Sequence, residues 1–149
     1  MNDEQFLALA IDQARLGLSE GGIPIGAALV GADGTVLGVG HNRRVQEGSA
    51  IKHGETDALE NAGRLPASAY AGATMYTTLS PCDMCTGAIL LYGIPRVVLG
   101  ENRTFLGGED HLRARGVEVI NAESDECVRL MTDFIAAHPA LWNEDIGED

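Results

Sequence analysis

The chain has 149 residues, enough for one domain around one core, and 45% hydrophobic against 21% charged residues is the balance of a globular protein. The net charge of −12 argues against nucleic acid or an anionic membrane surface as a partner, because either would be repelled, and the basic pair Arg43-Arg44 is soon followed by Glu47. No apolar run approaches the roughly 20 residues that span a bilayer, and Met1-Asn2-Asp3-Glu4 lacks the basic start and apolar middle of a secretory leader, so the expected location is cytoplasmic.

Residues 3–19 read as a helix, with Phe6, Leu7, Ala10, Ile11, Ala14 and Leu18 on one face. Gly21-Gly22 ends it and Pro24 lies beyond. Ile25 to Val30 reads as a strand, Asp33-Gly34 as a hairpin turn and Thr35 to Val39 as the return strand. The polar segment 41–52 leads to a helix from His53 to Ala62, and Ala73 to Leu79 is the next strand. Pro81 suits the first turn of a helix running to Tyr92, and Val97 to Gly100 is a short buried strand. Residues 101–110 form a Gly-rich loop, followed by a short helix, a strand near Val117–Ile120, and a long helix from Glu123 to Ala137 that Pro139 breaks. The order α-β-β-α-β-α-β-α-β-α predicts an α/β protein, a three-layer α/β/α sandwich with a central mixed sheet. No linker or repeat interrupts it, so residues 1–149 read as a single domain.

Three cysteines in a reducing compartment point to a metal or catalytic role more than to disulfides. Cys82 and Cys85, in Pro81-Cys82-Asp83-Met84-Cys85, stand three apart at a helix start, so both thiols face one point. The positive end of that helix favours the thiolates zinc requires. A CxxC alone also marks redox sites; His53, in His53-Gly54-Glu55, supplies the further ligand. Three protein ligands leave a fourth tetrahedral position open for water, the pattern of a catalytic site. Zinc there would lower the water's pKa to about 7. Glu55, two residues after the ligand, is placed to take the water's proton and pass it to a ring nitrogen and then to departing ammonia. The H-x-E…P-C-x-x-C pattern is the signature of zinc-dependent nucleobase deaminases.

Other residues have plainer readings. Cys127 reads as a buried, unreactive thiol, and His41, His111 and His138 as structural or solvated. Asp83 reads as a helix-start charge and Met84 as packing. Asn42 is open between a turn former and a substrate contact. Phe105, in a Gly-flanked loop, needs a cover, either a stacked base or a partner subunit.

Across nearly its whole length the sequence resembles the fungal-type cytosine deaminases of the cytidine deaminase superfamily. The likeness rests on Glu20-Gly21-Gly22-Ile23-Pro24-Ile25-Gly26, Gly40-His41-Asn42, His53-Gly54-Glu55, and the run from Tyr76 to Ile89. It continues through Tyr92-Gly93-Ile94-Pro95-Arg96 and Gly100-Glu101-Asn102 to Glu144-Asp145-Ile146-Gly147-Glu148. The resemblance implies a homodimer with one Zn2+ per subunit, held by His53, Cys82 and Cys85. It implies that Glu55 shuttles protons, Asn42 bonds the base, and the Gly54 N–H meets its carbonyl oxygen. It further implies pocket contacts from Ser80 and the Cys82 backbone, walls from Phe105 and Trp142, and an amino-group contact from Asp145. Two features depart from the pattern: the glycine-rich, acidic loop from Arg103 to Asp110, and Asn143 where an aromatic is usual.

The expected reaction is conversion of free cytosine to uracil with release of ammonia. The alternatives are another aminated heterocycle (guanine, isoguanine or a triazine), a nucleoside, or a zinc-stabilised binding module without catalysis. A tRNA deaminase should carry basic residues for the phosphates, and the charge is against it. Leu141, Trp142 and Ile146 can share one side of a short helix, so residues 140–149 read as a C-terminal lid over the active site.

Overall fold

The apolar stripe at the start of the chain forms α1 (Asp3–Ser19) in the computed structural model, which describes residues 1–149 throughout. Asn2 and Gln5 close a capping box on its first turn. Leu18, expected on the core face, is exposed; Gly17 holds the buried position of that turn, where a side chain would press on His41. β1 (Gly26–Val30) and β2 (Val36–His41) form the expected hairpin, with Gly34 at a φ of 84° and Asp33 Oδ1 accepting the Thr35 N–H. There follow α2 (Arg44–Glu47), α3 (Gly54–Ala62), α4 (Ala67–Tyr70), β3 (Thr74–Thr77), α5 (Asp83–Leu91) and β4 (Arg96–Leu99). The chain ends with α6 (Glu109–Ala114), β5 (Glu118–Asn121), α7 (Asp125–Ala137) and α8 (Pro139–Asp145).

Three details differ from the sequence reading. The helices α2 and α4 are single turns, too short to carry the apolar periodicity that would mark them. Pro81 lies outside α5, which starts at Asp83 with Cys82 as its N-cap; the Pro81 carbonyl instead accepts the Gly108 N–H at 2.9 Å. Pro139 does end α7, but it also opens α8 at the first helical position, where its missing N–H costs nothing.

The five strands run in the order β2-β1-β3-β4-β5, with β1 antiparallel to β2 and β3, and β3, β4 and β5 parallel. Their side chains alternate between two apolar layers. Ala27, Leu29, Met75 and Val97 pack with Ala58 of α3, Ile89 of α5 and Leu112 of α6. Ala28, Val30, Tyr76 and Val98 pack with Phe6, Leu7, Ala10 and Ile11 of α1 and Cys127 of α7. The sheet is therefore the middle of the expected α/β/α sandwich. A third cluster, with Ile25, Leu79, Met131, Phe134 and Trp142, closes the end where β3 runs out, the usual position of a site in such sheets. No helix is long and apolar enough to cross a membrane.

Candidate active site

Two helix N-termini converge at that end. His53 is the N-cap of α3, Cys82 is the N-cap of α5, and Cys85 is the third residue of α5. Both cap residues have extended backbones, so their side chains project ahead of the helices instead of lying along them. His53 Nδ1 stands 3.3 Å from Cys82 Sγ and 3.8 Å from Cys85 Sγ, and the three donor atoms lie within 4.8 Å of one another. Bonds of about 2.3 Å to sulfur and about 2.0 Å to nitrogen place tetrahedral zinc ligands about 3.6 Å apart, which these separations bracket. The other ring nitrogen, Nε2, faces Asp145 Oδ1 at 3.4 Å, the arrangement that fixes a metal-binding imidazole.

The three donor groups stand close enough to shift one another's protonation. A hydrogen bond from the Cys85 thiol holds Cys82 down at about 4, with burial opposing and His53 assisting. Cys85 is pushed up by the same bond and by burial. Burial alone would depress His53, but hydrogen bonds to Asp145 and Cys82 outweigh it and raise the imidazole to about 10. Zinc needs both thiols ionised and the imidazole neutral, so loading releases protons and weakens as pH falls. Glu55, almost wholly buried on the first turn of α3, is pushed up to about 7, first by burial and then by the Cys82 charge. That value suits a group that takes and returns protons near neutral pH.

His53, Glu55, Ser80, Cys82, Phe105, Trp142 and Asp145 line one cavity of about 20 Å³, completed by Ile25, Leu79 and Ile146. Phe105 and Trp142 meet edge to face, their centroids 5.8 Å apart. Two expected residues stand behind the lining. Asn42 donates from Nδ2 to Asp145 Oδ1 at 2.9 Å and accepts the Arg44 N–H at 3.1 Å. Gly54, first residue of α3, is pressed against the backbone of Ile25 and Gly26. The Ser80 hydroxyl is committed to the aromatic loop, donating to Glu109 Oε2 at 2.6 Å and accepting the Gly107 N–H at 2.9 Å.

Residues 1–101 match the family described as the cytidine and deoxycytidylate deaminase zinc-binding region. The chain belongs to this deaminase family. It is 60% identical over 147 residues to the cytosine deaminase of Candida albicans, covering 99% of this chain and 98% of that protein. It is 37% identical over 113 residues to a tRNA-specific adenosine deaminase of Streptococcus pyogenes, covering 72% of this chain and 67% of the relative. Among solved structures, the guanine deaminase of Bacillus subtilis superposes with a TM-score of 0.61 at 30% identity, covering 79% of this chain and 73% of that one. The protein is thus a zinc-binding deaminase, and His53, Cys82 and Cys85 form the group of side chains able to hold the ion.

Residues that sequence reasoning missed brace the segments around the site. Arg44 donates from its Nη1 to the Glu144 carbonyl at 3.0 Å and approaches Asp145 Oδ1 at 3.5 Å, tying α2 to the tail. Glu101 is buried and accepts the N–H groups of Arg103 and Thr104 and the Thr104 hydroxyl, so it shapes the loop that carries Phe105. Buried acidic residues have no mark in a sequence, because Asp and Glu sit on the surface by default. The plainer readings hold: Cys127 is buried against Gly100 and outside the donor cluster. The His41 ring is buried between Gln13 and Glu20, while His111 and His138 are exposed.

Proposed function

We propose that this deaminase hydrolyses free cytosine to uracil and ammonia, with Glu55 as the catalytic proton carrier. The observation that carries the reading is the seat of α8: it holds Trp142 in the cavity wall and Asp145 beside the metal-binding His53. The similarity to the Candida albicans enzyme spans 99% of the chain and so includes this tail.

Zinc, when bound, supplies Lewis acidity that makes a water ionisable near neutral pH. Glu55 accepts the proton of that water and delivers it to the ring nitrogen beside the amino-bearing carbon. The oxygen adds to that carbon, a second proton passes through Glu55 to the amino group, and the C–N bond breaks to release ammonia. Phe105 and Trp142 hold the ring, the Gly54 N–H at the start of α3 donates to the base carbonyl, and the Cys82 backbone adds a contact. Ser80 keeps the Phe105 loop in place. Asp145, steadied by Asn42, accepts from the amino group. A carboxylate only accepts and the amino group only donates, so this contact favours substrate over keto product.

Trp142, Asp145 and Ile146 of the tail and Phe105 of its loop form much of the cavity wall. Residues 140–149 therefore act as a lid that moves, with the Phe105 loop, to admit the base. The exposed apolar side chains of Ile51, Leu91 and Leu106 support assembly as a homodimer. The likeness to a cytosine deaminase along nearly the whole chain supports a place in pyrimidine salvage.

The test is ammonia release from cytosine, cytidine and guanine under identical conditions. Cytosine should exceed cytidine in kcat/KM by roughly 100-fold or more, because a ribose has no place under the seated tail. Comparable values for the two would reassign the protein as a nucleoside deaminase.

A further inference from the structure

Asn42 sits at the end of β2, and the residues on either side of it converge on one buried side chain. Asp57 Oδ2 accepts the His41 N–H at 3.0 Å and the Arg43 Nε–H at 2.9 Å. The Asp57 side chain is 3% exposed, so this double acceptance takes place out of water, where a charged acceptor counts most. Asp57 belongs to the first turn of α3, and its N–H donates to the His53 carbonyl at 2.9 Å. One carboxylate thus joins the helix start that carries His53 and Glu55 to the strand end that carries Asn42.

The approach that permits this depends on Gly40. A Cβ there would come within 2.4 Å of the Ala58 nitrogen and 2.8 Å of Asp57 Oδ2, so only glycine lets β2 lie close enough for Asp57 to reach past it. The same segment is tied from its other side, where the His41 ring meets Glu20 at 2.7 Å and Gln13 at 3.0 Å. The Asn42 N–H donates to Ile25, a residue of the cavity wall, and its side chain holds Asp145.

We infer that Asp57 is a positioning residue for substrate binding: it sets the distance between the Asn42–Asp145 pair and the helix start bearing Glu55 and the metal ligand. The inference rests on the reading of that pair as part of the base pocket. Asp57 acts through Asn42 and touches no substrate. Loss of its charge slackens the β2 end without removing a metal ligand or the proton carrier, so the effect falls on binding.

The experiment is a double-variant cycle on the zinc-loaded enzyme. Asp57→Asn should raise the KM for cytosine about tenfold while kcat changes by less than about twofold, since small misplacements of a positioning group are costly. Zinc content should be unchanged. In an Asn42→Ala background the same substitution should add nothing, because both act on one contact. An unchanged KM in Asp57→Asn, or KM effects that multiply in the double variant, would overturn the inference. Should Asp57→Asn not fold, Arg43→Met removes one arm of the clamp from a partly exposed side chain and must raise KM in the same way; a normal KM there overturns the inference equally. A wild-type KM in Asn42→Ala alone would remove the pocket reading on which the inference stands.

Discussion

Replacing Glu55 by Gln should abolish nearly all turnover while leaving zinc and fold in place. Gln fills almost the same volume but cannot accept the water's proton. Loss of a general acid–base group typically costs about 10² to 10⁴-fold, and one residue here serves successive transfers, so the upper part of that range is expected. The position supports this assignment: Glu55 is buried on the first turn of α3, it lines the cavity with His53 and Cys82, and it is pushed up to about 7. A neutral Gln also removes the burial penalty on a charge at that site, so the variant should melt no lower than the parent. Turnover and metal content measured on one preparation decide the matter. More than a tenth of the parental kcat at full zinc occupancy would refute the proton-carrier role.

Deleting residues 140–149 should lower kcat/KM by at least about 100-fold, because Trp142 and Asp145, which on the proposed reading wall and orient the base, go with the tail. The two apolar clusters that sandwich the sheet contain no residue of this segment, so the domain should still fold. The third cluster loses Trp142 and exposes Ile23, Ile25, Leu79 and Phe134, so the melting temperature should fall. The two effects separate by measurement: circular dichroism and zinc analysis report the fold, and cytosine turnover reports the lid. Turnover at the full-length rate would show that the tail is only a solubilising terminus.

The chemistry of this protein is legible in its sequence because zinc demands particular residue types at particular spacings. His53, Glu55, Cys82 and Cys85 satisfy those demands at the starts of two helices. The sandwich was legible for a related reason: alternation along β1, β3 and β4 serves two apolar layers, and α1 and α7 carry stripes to match. The pocket beyond the metal is written less plainly. Asn42 and Asp145 are 103 residues apart and meet only after the tail folds back, so neither reveals the other. Asp57, Glu101 and Glu109 are buried through bonds to backbone N–H groups, to the hydroxyls of Ser80 and Thr104, to Asn102 and to Arg43, and no residue pattern announces such partners. Pro139 shows the same limit in a local form, since a residue that ends one helix can begin the next.

The central claim is that zinc at His53, Cys82 and Cys85 drives deamination of free cytosine. It is tested most directly by stripping the metal with a chelator, restoring zinc in steps, and measuring uracil and ammonia from cytosine at each step. The account predicts no turnover in the stripped protein, a linear rise that levels off at one zinc per chain, and one ammonia for each uracil. A fully loaded protein that leaves cytosine intact, or turnover that does not follow zinc content, would contradict it.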